Sequence, residues 1–192
     1  MNITQNRMVI KVRASALTHE TGQNNLQAFD RLACLLSDIQ DRGYQIILVS
    51  SGAVTVGTNR LKTRKTPANP GPVQAVAAIG QCSLISLYGK FFQEHNKTIA
   101  QILLSTEDLE NADKKDNLAN TLNALFDMRI IPVITENVPV CHTATDTDNS
   151  MADSLDTLAA VIMNLSKAQN LISFSAAGDF YADLPAFAAV QQ

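Results

Sequence analysis

Residues 45–53 read QIILVSSGA: an apolar run, Gln45 to Val49, that passes without a break into Ser50, Ser51, Gly52 and Ala53. A short continuous run of Ile, Leu and Val bounded by small turn residues is the pattern of a strand buried on both faces. Working outward, four further runs have the same character: Met8–Val12 (MVIKV), Thr98–Leu104 (TIAQILL), Ile130–Ile134 (IIPVI) and Asn170–Phe174 (NLISF). Between them the period changes. Leu26, Phe29, Leu32, Leu36 and Ile39 recur at spacings of three and four, with Asn24 to cap the start and Gly43 to stop the end. Gln74–His95 is a long helical pattern interrupted at Gly80, and Asn117–Met128 and Ser154–Leu165 are shorter ones. Strands alternating with helices predict an α/β fold, a three-layer αβα sandwich around a mostly parallel sheet. Arg13–Gln23, the proline-rich Leu61–Val73 and the Thr/Asp-rich Val138–Ser150 read as loops, and Pro132 is unusual for a central strand.

The bulk properties fit that class and exclude others. A chain of 192 residues, 46% hydrophobic and 17% charged, has the composition of one globular domain. A net charge of −3 provides no basic face, so no nucleic-acid partner is expected. No run of about eighteen apolar residues suggests a membrane span, and MNITQNR has no signal-peptide core. Cys34, Cys82 and Cys141 form no CxxC pair and no disulfide framework, so a reducing cytoplasm is the expected location. Neither a GxGxxG fingerprint nor a Walker loop occurs.

In parallel α/β sheets ligands sit beyond the carboxyl ends of the strands. That directs attention to Arg13–Ser15, Ser50–Gly52, Ser105–Asp108, Thr135–Val138 and Ser175–Gly178. Ser50-Ser51-Gly52 reads either as a cradle for carboxylate or phosphate or as a serine-capped turn. Lys11 lies inside an apolar strand, where an ammonium needs an anion; the competing reading is an edge-strand lysine reaching solvent. Glu136 and Asn137 point at the same region or simply form an Asx turn. Asp146, Asp148 and Asp153 read either as ligands for a hard cation or, more often for such a loop, as a turn and helix cap, and no metal is assigned to them.

The order of VIKVRASALT (9–18), IILVSSGAVTVG (46–57), AAIGQCSLISLYGKFF (77–92), AQILLSTEDL (100–109) and NTLNALFDMRIIPVITEN (120–137) closely resembles the glutamate 5-kinases of the amino acid kinase family, over about Met8 to Pro185. The resemblance implies phosphorylation of the γ-carboxylate of glutamate by MgATP, the first step of proline synthesis. It also implies one domain over residues 1–192, with a substrate lobe to about residue 150 and the start of a nucleotide lobe, cut short, from about 151. By resemblance Lys11 is the catalytic lysine, Asp153 the aspartate that orients the catalytic lysines, and Ser51, Gly52 and Asn137 substrate-binding residues. Glutamate, and possibly proline, are the implied ligands, and a homo-oligomer the implied assembly.

The departures fall on the same motifs. The glycine that lets backbone approach phosphate is Arg13, and the residue after it is Ala14. The aspartate that holds the substrate's amino group is Val138, and the first asparagine of that turn is Thr135. The Gly-Asp-Asn-Asp motif aligns without gaps to Ser150-Met151-Ala152-Asp153, and the nucleotide lobe's Thr-Asp pair is Ser175-Ala176. No Gly-Gly-Met-x-Thr-Lys segment, which carries the family's second lysine, is present in the sequence. Together they point to a catalytically impaired relative acting as a scaffold or ligand-binding homologue, with ATP binding in doubt. The alternatives are an active glutamate 5-kinase with unusual site residues, or a binder of another small anion between Lys11 and Arg13.

Overall fold

The computed structural model describes residues 6–19, 21–62, 69–141, 148–175 and 180–182, with backbone alone at 106, 148–153 and 180–182. Five parallel strands, β1 (Arg7–Val12), β2 (Gln45–Ser50), β3 (Ile99–Leu104), β4 (Ile131–Glu136) and β5 (Asn170–Phe174), form the body of one sheet. A sixth strand, β6 (Phe180–Ala182), joins antiparallel to β5, giving the order β3-β4-β2-β1-β5-β6. Three residues are too few to show a pattern, which is why β6 is not legible in the sequence. The helices are α1 (Leu26–Asp41), α2 (Ala53–Arg60), α3 (Pro70–Glu94), α4 (Thr106–Glu110), α5 (Ala112–Asp127), α6 (Val138–Cys141) and α7 (Asp148–Ser166).

The layers follow from strand alternation. Ile10, Ile46 and Leu48 face one side, where Phe29, Leu32 and Leu36 of α1 and Leu84, Tyr88 and Phe92 of α3 cover them. Val9, Ile47, Val49 and Ile134 face the other, under Leu118, Leu122 and Phe126 of α5 and Leu158 and Ile162 of α7. Both faces are therefore dry, which is what the continuous apolar runs require. The expected three-layer sandwich is present.

Several local expectations change. The cap of α1 is Asn25, whose side chain accepts from Ala28 N, while Asn24 accepts from Asn59 Nδ2 at 2.8 Å. The helix α3 begins at Pro70, inside the stretch read as a loop, because prolines are tolerated in a first turn that has no amide partner to lose. Gly80 does not interrupt α3. It lets the helix cross α2: a Cβ there would lie 1.7 Å from the Ala53 carbonyl oxygen, and one at Gly57 would lie 2.1 Å from that of Val76. Pro132 is accommodated because the β2–β4 register begins at Val133, so its missing donor falls outside that ladder. By length and composition alone α3 is apolar enough to cross a bilayer, with a mean hydropathy of 1.3. This differs from the expectation drawn from run length. Here its Val76, Ala77, Leu84, Tyr88 and Phe92 are buried in the fold, as in a core helix.

Candidate functional site

At the carboxyl end of β1, Lys11 turns toward α7. Its Nζ donates to Asp156 Oδ1 at 2.8 Å, and the Arg13 guanidinium donates to Asp156 Oδ2 at 2.5 Å. One carboxylate thus bridges two cations of very different exposure, with the Lys11 side chain 4% exposed and that of Arg13 37%. A lysine this deep needs a counter-charge, and Asp156 provides one.

The turn after β2 is stitched to the turn after β1. Ser51 N donates to the Val12 carbonyl at 3.0 Å, and Ser51 Oγ accepts from Ala14 N at 3.0 Å. Gly52 follows with φ 122°, a conformation that a side chain would strain, and opens α2 as a cap residue with no side-chain hydrogen bond to its amides. Beneath the turn, the Ser50 and Tyr88 hydroxyls meet at 2.7 Å in the core. Burial raises the Tyr88 phenol above its usual range, with the Ser50 hydrogen bond opposing, so Tyr88 stays neutral.

The turn after β4 completes the site. Asn137 N donates to the Leu104 carbonyl at 2.8 Å, and the Asn137 carbonyl accepts from the Cys141 amide at 3.2 Å and the Cys141 thiol at 2.9 Å. Gln81, from the helix motif singled out in the sequence, donates to the Glu136 carbonyl at 3.2 Å. The Glu136 carboxylate accepts from Ser154 Oγ at 2.8 Å and lies 3.8 Å from the Cys141 sulfur. Between these turns and α7 is a cavity of about 30 Å³, lined among others by Ser51, Gly52, Thr135, Val138, Leu155 and Leu158.

The structure therefore brings Lys11, Ser51 and Gly52 to one end of the sheet. Asn137 is adjacent but does not line the cavity, and its side-chain amide makes no hydrogen bond among the described residues. Asp153 lies in α7 where only the backbone is described. The aspartate found on Lys11 is Asp156, which the sequence reading missed. The signal was available: Asp156 follows Asp153 by three, one helical turn along the same face. Among the described residues no cluster of His, Cys, Asp and Glu has the makings of a metal site; Asp146 lies outside them, and Asp148 is described in backbone alone.

MgATP is the group that the resemblance implies, and the described residues do not fit it as they stand. A triphosphate beside β1 needs free cationic donors and open backbone. Arg13 stands where open backbone is expected, Asp156 holds both nearby cations, and the Ala14 amide already donates to Ser51.

Comparison with known proteins agrees with this architecture. Residues 6–185 match the model of the amino acid kinase family. The chain belongs to the amino acid kinase family. Its relatives include the glutamate 5-kinase of Clostridium perfringens, 39% identical over 175 residues, covering 91% of this chain and 65% of the relative. That of Enterococcus faecalis is 38% identical, covering 93% of this chain and 66% of the relative. That of Clostridium tetani is 42% identical, covering 88% and 61%. The chain thus spans somewhat less than two thirds of the length of these relatives. Among solved structures, the carbamate kinase from Giardia lamblia bound to AMP-PNP superposes with a TM-score of 0.60 at 11% identity, over 90% of this chain and 71% of that one. At that identity the likeness concerns the fold.

Proposed function

We propose that this glutamate-5-kinase-like chain is a ligand-binding homologue in which phosphoryl transfer is suppressed. The observation that carries the reading is the Asp156 carboxylate bridging Lys11 and Arg13, at 2.8 and 2.5 Å. Phosphoryl transfer to a carboxylate brings two anions together, and only preorganised, available cations and amides make that approach cheap. Here the cations neutralise a residue of the chain itself, and Arg13 replaces the glycine that the resemblance places beside the phosphates. Val138 replaces the carboxylate that the resemblance assigns to the substrate's ammonium. A charge-assisted contact of that kind contributes about 1.5–3 kcal/mol.

Lys11 and Asp156 hold the bridge, Ser51 and Gly52 line the retained cleft, and Asn137 stands at its edge. Asp153 is kept as a further candidate on the face of α7 that carries Asp156. Glutamate is the ligand that the relatives' names suggest, with proline kept as a further candidate. The proposed setting is the cytoplasm, with three free cysteines in accord. A homo-oligomer would cover the open edge of β3, where Leu103 is exposed. The division into a substrate lobe and the beginning of a nucleotide lobe near residue 150 goes with this reading.

One observation favours a second reading, an active kinase. The Lys11–Asp156 pair is itself the lysine–aspartate contact that the resemblance expects of a working site, with Asp156 in the role assigned to Asp153. Binding of another anion between Lys11 and Arg13 has no comparable support, because Asp156 occupies that position. Calorimetric titration with MgATP, glutamate and proline, each alone, separates the two. The suppressed reading expects no saturable MgATP binding in the millimolar range. Saturable binding of all three ligands would favour the active kinase instead.

A further inference from the structure

Glu136 closes β4 and is the charged side chain among the described residues that line the strand-end cavity. Three contacts fix it. Its backbone pairs with Leu104 of β3, its carbonyl accepts from Gln81 Nε2 at 3.2 Å, and its carboxylate accepts from Ser154 Oγ of α7 at 2.8 Å. A carboxylate offers about four acceptor sites, and a serine hydroxyl orients it without neutralising it. The Cys141 sulfur, 3.8 Å from the other oxygen, brings no positive charge. Among the described residues Glu136 makes no ion pair, and the cations at this end of the sheet, Lys11 and Arg13, are both held by Asp156. Thr135, one position earlier, offers a ligand nothing, because its Oγ1 is buried without a partner.

A half-buried carboxylate beside apolar surface, oriented but without a cation, is prepared to receive one. Val54, Val138, Leu155 and Leu158 line the same cavity and keep water from screening a charge pair formed there. The cavity, about 30 Å³, takes a head group about the size of a water molecule. A primary ammonium has that size and three N–H donors for the carboxylate, whereas an anion would be repelled. Val138 stands where the resemblance places the carboxylate for a substrate's ammonium, and it is buried and uncharged. The charge missing at Val138 is present two residues earlier, on Glu136.

We propose that Glu136 holds a ligand's primary ammonium group in this cleft, in place of the carboxylate that Val138 lacks, and so selects amino-bearing ligands over their deaminated analogues. The inference rests on the reading of the strand-end cleft as a retained ligand site and names the residue that sets its preference. Calorimetric titration of the full chain with L-glutamate and with glutarate tests it, since the two differ by one ammonium group. In the wild-type chain L-glutamate should bind about tenfold tighter than glutarate or more, the worth of one charge-assisted contact. Glu136→Gln keeps the shape and removes the charge. It should weaken L-glutamate binding about tenfold and leave glutarate binding unchanged or tighter, so that the preference disappears. A merely structural role for Glu136 would weaken both ligands together and leave their ratio as it was. Glutarate binding the wild-type chain as tightly as L-glutamate, or a preference that survives in Glu136→Gln, overturns the role of Glu136 and leaves the cleft a ligand site. Binding of neither compound to the wild-type chain overturns both.

Discussion

The turns that leave β1 and β2 lie side by side and are hydrogen-bonded to each other, yet they differ in what the sequence has preserved. The β2 turn keeps Ser51 and Gly52 and sits above a helix crossing where Gly57 and Gly80 bring two backbones together. The β1 turn has Arg13 where the resemblance places glycine, and its charge is absorbed within the chain by Asp156. The contrast separates two kinds of constraint. Gly57 and Gly80 are required by the fold whatever the protein does, because any side chain there meets a carbonyl oxygen. A glycine at position 13 would be required only by a phosphate, and no packing contact demands it. Resemblance is therefore strongest where it concerns architecture and weakest where it concerns chemistry.

The largest expected effect tests the architectural half. Gly80→Ala places a Cβ 1.7 Å from the Ala53 carbonyl and forces α2 and α3 apart. Overpacking against backbone should cost about 3 kcal/mol or more in denaturant unfolding, and Gly57→Ala should follow closely. Full stability in both variants would show that the corner is not held by contact between the backbones. The next effect tests the charged half. Asp156→Ala removes a counter-charge that lies 2.8 Å from the buried Lys11 ammonium and should cost about 2 kcal/mol. Arg13→Ala, at the exposed arm of the same carboxylate, should change stability by less than about 1 kcal/mol. Equal losses would mean that Arg13 is a structural residue and not a substitution that the fold tolerates freely.

The smallest effect lies away from both turns and calibrates the rest. Asp108 closes a capping box at the start of α4 and accepts from Lys114 Nζ at 2.6 Å. The Lys114 hydrogen bond first, and those from Ser105 next, lower its pKa from 3.8 to about 2. A depressed carboxylate stabilises the fold above its unfolded pKa, and that contribution is lost as pH falls from 3.8 through about 2. Asp108→Asn should therefore flatten the acid limb of stability in that window and leave the neutral limb parallel to wild type. An unchanged acid limb would place the titrating carboxylate elsewhere.

How much of this was legible in the sequence depended on whether a feature repeats. The five parallel strands and the faces of α1, α5 and α7 were readable because burial on one or both sides writes a period. Short elements such as β6 and α6 write none. Gly80 looked like an interruption because periodicity cannot show that a second helix passes at that point. In the site, Lys11, Ser51 and Gly52 were legible from position at strand ends. Asp156 was hinted at only by its spacing of one helical turn from Asp153, because the contact that gives it a role joins β1 to α7 across 145 positions of sequence. Thr135 was visible only as a departure from a motif. That its hydroxyl is unpaired is a property of the packed cavity alone.

The central proposal is that the kinase scaffold persists while Arg13 and Asp156 close the approach of phosphate. Its most direct test is glutamate-dependent transfer of the γ-phosphate of labelled ATP, measured on the wild-type chain over hours at saturating glutamate. The account expects no transfer above the glutamate-free background. Steady glutamate-dependent turnover that disappears in Lys11→Ala would contradict it.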